Sequence, residues 1–366
     1  MALVPRNIRD LEPYRPGKSI SALQRELGLT DVIKLASNEN PLGPSPKALT
    51  AAQRALQAIN RYPDPAGLPL REKLAERFRV KVDNVILGAG SEGIMSIIMR
   101  TFLLDEDEII SAAGSFIGFR VLAQASGNRV HWVPMRDNRY DLEAMAARIN
   151  DYTKLIYIAN PDNPTGSYIT TAEFDRFMDR VPERVLVILD EAYFEYAQEL
   201  PDYPDSMHYR YDNVITLRTF SKVYGLAGLR IGYGFAHENL ISNLLKVKLP
   251  FAVTEPAMAA ALVALDDEEY LQRSLVNNRE GLQRLIPELK DLGYEVLPSA
   301  TNFVTLLFPT PTDAEKFTNM LLHKGIIVRH LTAFGRPDAV RVTVGSPKEI
   351  DRLLEIVGSL PPIGRK

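Results

Sequence analysis

Cysteine is absent from the 366 residues, which excludes a disulfide framework and thiolate chemistry and fits a reducing cytoplasm. The five histidines, His131, His208, His237, His323 and His330, show no ligand spacing, so no metal site is expected. Charge is nearly balanced, at a formal −3, with no basic block and no aromatics interleaved with basic residues. Neither nucleic acid nor a membrane surface is therefore an expected partner. No apolar run reaches membrane-spanning length and residues 1–10 hold no signal-peptide core, so the expected location is the cytoplasm. What is present is an ordinary globular composition, 46% hydrophobic and 24% charged, in a chain long enough for a large and a small domain.

Residues 1–36 read as an irregular arm with one short amphipathic helix, 20–27, stopped by Gly28. The run Ser37-Asn38-Glu39-Asn40-Pro41-Leu42-Gly43-Pro44-Ser45-Pro46 is too rich in proline for helix or strand, and Arg61-Tyr62-Pro63-Asp64-Pro65-Ala66-Gly67 is a second such turn. By composition both are ordered loops or linkers. From residue 84 short apolar strands, at 85–87, 108–111, 130–134, 155–159, 185–189, 214–217 and 231–235, alternate with helix-length segments. That rhythm predicts an α/β fold with a mostly parallel sheet covered by helices, and ligands beyond the carboxyl ends of its strands. Beyond Pro250 long helices and a second set of short strands predict a smaller α+β domain. The expected division is an arm at 1–36, a large domain at 37–250 and a small domain at 251–366.

Four motifs fall at strand ends. Thr219-Phe220-Ser221-Lys222 through Leu229-Arg230 lies between two buried strands. Desolvation there would lower the Lys222 pKa and leave free amine, as a Schiff-base nucleophile requires. Thr219, Ser221 and Arg230 add hydroxyls and a fixed cation suited to a phosphate. Gly88-Ala89-Gly90-Ser91-Glu92-Gly93, between a strand and a helix, offers backbone N–H groups to an anion. It also satisfies a dinucleotide fingerprint, but that reading wants an acidic residue at the end of the next strand, where Ser111-Ala112-Ala113-Gly114 stands. Asn160-Pro161-Asp162-Asn163-Pro164-Thr165-Gly166 ends a strand in a rigid turn, either a plain proline turn or one that aims an amide at the sheet edge. Asp190 closes the apolar run 185–189, where an unpartnered charge is expensive. Its partner could be Mg²⁺ on a Walker-B strand, although the only Gly-Lys-Ser, at 17–19, has Glu12 where the first glycine of a P-loop belongs.

Taken together, these motifs resemble fold-type I aminotransferases, which use pyridoxal 5′-phosphate, and over residues 8–360 the chain is similar to the histidinol-phosphate aminotransferase group. The longer resemblance rests on Pro13-Tyr14-Arg15-Pro16-Gly17-Lys18, on residues 35–41, on residues 218–230 and on Gly325-Ile326-Ile327-Val328-Arg329. It implies that Lys222 bonds the cofactor covalently and then moves the α-proton. Asp190 would pair with the ring nitrogen, and Asn163 and Tyr193 would reach the phenolic oxygen. Gly90, Ser91, Thr219, Ser221 and Arg230 would hold the phosphate, and Phe116 would stack on the ring. Tyr62 would be lent across a homodimer interface to the neighbouring subunit. Tyr14, Asn40, Arg329 and Arg341 would contact the substrate. The partners implied are a small-molecule amino donor and a 2-oxo acid acceptor, in ping-pong order. An aromatic amino-acid aminotransferase is the alternative, because a pocket for imidazole also takes phenyl or phenol rings.

Overall fold

The apolar runs assemble into one seven-stranded sheet in a computed structural model that describes residues 3–11, 17–209, 211–361 and 363. Its strands are β1 (Val85–Gly88), β2 (Glu108–Ala112), β3 (Arg129–Val133), β4 (Thr153–Ala159), β5 (Leu186–Asp190), β6 (Val214–Thr219) and β7 (Gly232–Phe235). The spatial order is β1-β7-β6-β5-β4-β2-β3, and all but β7 run parallel. Residues 220–231 join β6 to β7 through a single 3₁₀ turn with no crossover helix, so β7 returns antiparallel.

Every residue of β1, β2, β5, β6 and β7 is buried. Burial on both faces explains why these strands read as continuous apolar runs instead of alternating ones. The two-residue period still sorts side chains between layers. Leu155 and Tyr157 of β4 pack with Ile94, Ile98 and Phe119 on one face, and Ile156 and Ile158 pack with Phe174 and Phe177 on the other.

A second sheet holds β8 (Glu295–Val296), β9 (Phe303–Leu307), β10 (Arg329–His330) and β11 (Ala339–Thr343), antiparallel in the order β10-β11-β9-β8. Helices Pro311–His323 and Pro347–Ser359 cover it through Phe317, Leu321, Leu353 and Val357. The arm is tied to this sheet's domain: Ile33–Lys34 pairs with Ile326–Ile327, and Leu35 enters the same core.

The change of core does not fall at residue 250. Helix Glu255–Ala264 packs Ala257, Ala260 and Ala261 into the large-sheet core beside Leu70, Leu87 and Tyr233. The following helix, Glu268–Asp291, gives Leu271 to that core and Leu285 and Leu289 to the other, so it spans both. Composition could not reveal this, since an apolar helix fits either core. Among the described residues no helix is long and apolar enough to cross a membrane.

Candidate active site

The carboxyl ends of β4, β5 and β6 lie side by side, with Ala159 opposite Asp190 and Asp190 opposite Leu217. Because β7 runs the other way, its first residue, Gly232, meets the ends of both β1 and β6 at this same edge. Residues that are far apart in sequence therefore converge on one cleft. Ser91, Phe116, Asn163, Asp190, Tyr193, Thr219, Ser221, Lys222 and Arg230 line it, together with Glu92, Ala159, Pro161, Ala192 and Ala227. A separate apolar cleft lined by Val80, Met207, Tyr211, Val214 and Phe235 lies at the opposite edge of the sheet and contains none of the motif residues.

At one end of the cleft the helix Gly90–Phe102 begins with its first N–H groups unpaired within the helix. Two glycines permit its close approach. Gly90 has φ +77°, and a Cβ there would stand 2.6 Å from an Arg230 guanidinium nitrogen. A Cβ on Gly232 would stand 2.6 Å from the Ser91 nitrogen. Thr219 Oγ1 donates to Ser221 Oγ at 3.0 Å, and Arg230 Nη1 donates to the same Ser221 oxygen at 3.4 Å. Backbone donors, two hydroxyls and a guanidinium thus surround one small volume, the donor set of a phosphate site.

Lys222 stands at the centre, half-buried, its Nζ 3.5 Å from the Ser37 carbonyl and 5.7 Å from the Tyr193 ring centroid. Its pKa is lowered to about 8, first by the protein packed around it and then by the charges of Arg341 and Arg230, against the opposing pull of Glu39 and Asp190. The side chain keeps some contact with solvent, so the shift reflects the walls of the cleft and not closure from water.

Asp190 is 4% exposed. Its Oδ2 accepts from the Tyr157 hydroxyl at 2.8 Å, and Oδ1 is buried without a hydrogen-bond partner. Burial raises its pKa to about 6, offset in part by Tyr157, the Ala192 N–H and the Lys222 charge. Tyr193 is buried and accepts from Asn38 Nδ2 at 2.7 Å. Burial pushes its pKa to about 12, so it keeps its proton at neutral pH. Asn163 accepts from Arg341 Nη1 through Oδ1, which leaves its NH₂ end to donate.

The remaining residues named from the sequence lie further out. Arg341 is 5% exposed, on β11, and also donates to the Ala36 carbonyl at 2.8 Å. Arg329, 8% exposed, stands directly opposite it on β10, and the two guanidinium carbons lie 5.9 and 5.7 Å from the Phe334 ring centroid. Asn40 bonds the Val223 carbonyl and Ser274 Oγ, at 2.7 and 2.9 Å, and so braces the residue after Lys222 without lining the cleft. Tyr62 is 82% exposed, stacks on Phe251 at 4.5 Å and does not line this chain's own cleft. Tyr14 lies outside the described residues. Sequence reasoning missed Tyr157 and Asn38. The first sits mid-strand in an apolar run where an aromatic reads as core. The second acts through a fold-wide contact that no local pattern announces.

Pyridoxal phosphate fits these residues. An unbonded, buried carboxylate oxygen on Asp190 suits a pyridinium N–H. An amine of depressed pKa suits the aldehyde, and the Gly90–Ser91–Arg230 cradle suits the phosphate. Comparison with known proteins agrees. The family model for aminotransferase class I and II matches residues 30–357. A Carboxydothermus hydrogenoformans protein named histidinol-phosphate aminotransferase 2 is 42% identical over 354 residues, covering 96% of this chain and 97% of its own. A Brevibacillus brevis histidinol-phosphate aminotransferase is 43% identical over 346 residues, covering 94% of each chain. The crystal structure of the Sinorhizobium meliloti histidinol-phosphate aminotransferase in complex with pyridoxal-5′-phosphate superposes with a TM-score of 0.89 at 30% identity, covering 99% of each chain. With the lysine, carboxylate and phosphate cradle gathered at one sheet edge, this chain belongs to the aminotransferase class I and II family, whose cofactor is pyridoxal phosphate.

Proposed function

We propose that this chain moves the amino group between L-histidinol phosphate and 2-oxoglutarate, with imidazole acetol phosphate and glutamate as products, in ping-pong order and in the cytoplasm. Relatives of that name at 42–43% identity over nearly the whole chain support the reading. The observation that carries it is the pairing of Arg329 with Arg341 across β10 and β11. Like charges held directly opposite each other in a sheet are destabilising. Two buried guanidiniums on facing strand positions, Arg341 bonded to Asn163, suit a dianionic phosphate better than a single carboxylate.

When bound, pyridoxal phosphate supplies the reactive aldehyde and the electron sink. The chain's own residues do the rest. Lys222 would hold the cofactor through its amine and would take the substrate's α-proton and return it, as general base and acid. Asp190 would hold the ring-nitrogen proton through Oδ1, and Asn163 and Tyr193 would donate to the phenolic oxygen. Gly90, Ser91, Thr219, Ser221 and Arg230 grip the phosphate and Phe116 covers the ring face. Tyr62, exposed on this chain, would complete the phosphate site of a second copy in a homodimer. Tyr14 and Asn40 belong to the substrate side, Asn40 by bracing Val223.

Single half-reactions test the proposal. Enzyme loaded with cofactor is mixed with histidinol phosphate, phenylalanine or tyrosine, and the change in cofactor absorbance is followed by stopped flow. Histidinol phosphate is expected to react fastest, and Arg329→Ala to remove that advantage. Preference for the aromatic amino acids would replace this reading with an aromatic aminotransferase. Lys222→Ala should still bind cofactor and show no turnover.

A further inference from the structure

Three consecutive residues of the segment leading out of the arm each touch a different side chain in or beside the cleft. The Ala36 carbonyl accepts from Arg341 Nη2 at 2.8 Å, the Ser37 carbonyl from Lys222 Nζ at 3.5 Å, and Asn38 Nδ2 donates to the Tyr193 hydroxyl at 2.7 Å. Asn38 is the most firmly held. It is 1% exposed with φ 55°, a left-handed conformation that asparagine tolerates better than most residues. Its N–H donates to Thr343 Oγ1 at 2.9 Å and its carbonyl accepts from Asn302 Nδ2 at 3.0 Å, which fastens it to β11 and to the residue before β9.

These bonds decide where protons point. Thr343 Oγ1 accepts the Asn38 N–H, and its own proton goes to Asn38 Oδ1, 3.1 Å away. With Oδ1 engaged on that side, the NH₂ end faces Tyr193, whose oxygen therefore accepts. A phenol that accepts from one side keeps its single proton to donate elsewhere, and no acceptor among the described residues takes it. Phe303 packs edge-on against the ring at 5.5 Å and limits its rotation. The charged groups that bear on the hydroxyl are Arg341, Asp190 and Asp162, with Lys222 over the ring.

We propose that Asn38 is a positioning residue: anchored on the small-domain sheet, its amide turns the Tyr193 hydroxyl proton into the cleft, toward the phenolic oxygen of the bound cofactor. The inference rests on the role given above to Tyr193. It makes the charge on that oxygen depend on how the arm and the small domain are seated, because the group that aims the proton is held by Thr343 and Asn302.

The test is the pH midpoint at which the visible band of the cofactor-loaded protein changes, measured by absorbance titration. Tyr193's donation stabilises negative charge on the phenolic oxygen, so its loss makes that oxygen hold a neighbouring proton more tightly and raises the midpoint. Tyr193→Phe should raise it by about 1–2 pH units, the worth of a hydrogen bond to a charged group. Asn38→Gly keeps the backbone bonds, and glycine accepts φ 55°, so it removes the amide alone. It should raise the midpoint by about half a unit to one unit. Asn38→Asp keeps the shape, draws the Tyr193 proton away from the cleft, and should raise the midpoint at least as far. The double variant Asn38→Gly/Tyr193→Phe should match Tyr193→Phe alone. If Tyr193→Phe moves the midpoint while both Asn38 variants leave it at the parent value, or if the two changes add, Asn38 does not act through Tyr193 and the inference is overturned. If Tyr193→Phe leaves the midpoint unmoved, the role of Tyr193 itself is wrong.

Discussion

Asp190 and Glu191 are neighbours in sequence, both buried, both carboxylates raised in pKa first by burial, and they are treated in opposite ways. Glu191 lies against Arg218, which is 0% exposed and donates to Glu191 Oε2 through Nε and Nη2 at 2.9 and 2.8 Å. The same Nη2 reaches Asp205 at 2.9 Å, and the guanidinium lies 3.3 Å from the Phe194 ring centroid. Asp190, on the cleft side, receives one neutral hydroxyl and keeps an oxygen without a bond. Burial raises both carboxylates, but only Glu191 is given a buried guanidinium in direct contact. The other keeps a buried oxygen with no hydrogen-bond partner, the position proposed for the cofactor's ring N–H.

Four measurements would sharpen or break that contrast. The largest effect is expected from Asp190→Asn, which should lower turnover by about 10³-fold in steady-state assays while leaving the fold intact. Glu191→Gln should do the reverse, lowering unfolding free energy by about 3 kcal/mol in urea titrations because it uncouples a buried guanidinium, with turnover per folded molecule near the parent's. Third is the pH dependence of the cofactor-free protein. Asp190 is raised in the folded state to about 6, so between about pH 4 and 6 the folded form binds more protons than the unfolded one and stability falls as pH rises. Asp162, buried and also raised to about 6, contributes a parallel slope. Cofactor-free Asp190→Asn should lose part of that slope and exceed the parent by about 2 kcal/mol at pH 7. Equal stability would mean that Asp190 carries no burial penalty. The smallest effect belongs to Tyr157→Phe, which removes the hydroxyl bond to Asp190 and should cost about tenfold in turnover, with the Asp190 pKa moving further up.

Much of this was legible before any coordinates, for a physical reason. A loop at the carboxyl end of a buried strand has its position set by that strand, so residues such as Asn163, Asp190 and Lys222 declare both chemistry and place within a dozen residues of sequence. The strand runs themselves were plain because both faces are covered. Three features resisted. Tyr157 lies in an unbroken apolar run and stacks on Phe119, so its hydroxyl looked incidental. The 37–46 segment was read through its prolines and Asn40, whereas the contacts with Arg341, Lys222 and Tyr193 come from Ala36, Ser37 and Asn38. The helix Glu255–Ala264 is apolar enough to suit either core, and it joined the large one.

Chemical identity, then, was written locally: an amine, a carboxylate and a phosphate cradle are each specified by side chains a few positions apart and by the strand ends beneath them. Which of two adjacent carboxylates gains an arginine, which arginines face each other, and which way the Tyr193 proton points were set by contacts between separate elements, some more than a hundred positions apart, as from Asn38 to Tyr193 and from Asn163 to Arg341. Such contacts form only when separate elements pack. Their energies depend on distance and burial, quantities that a linear order of residues does not contain.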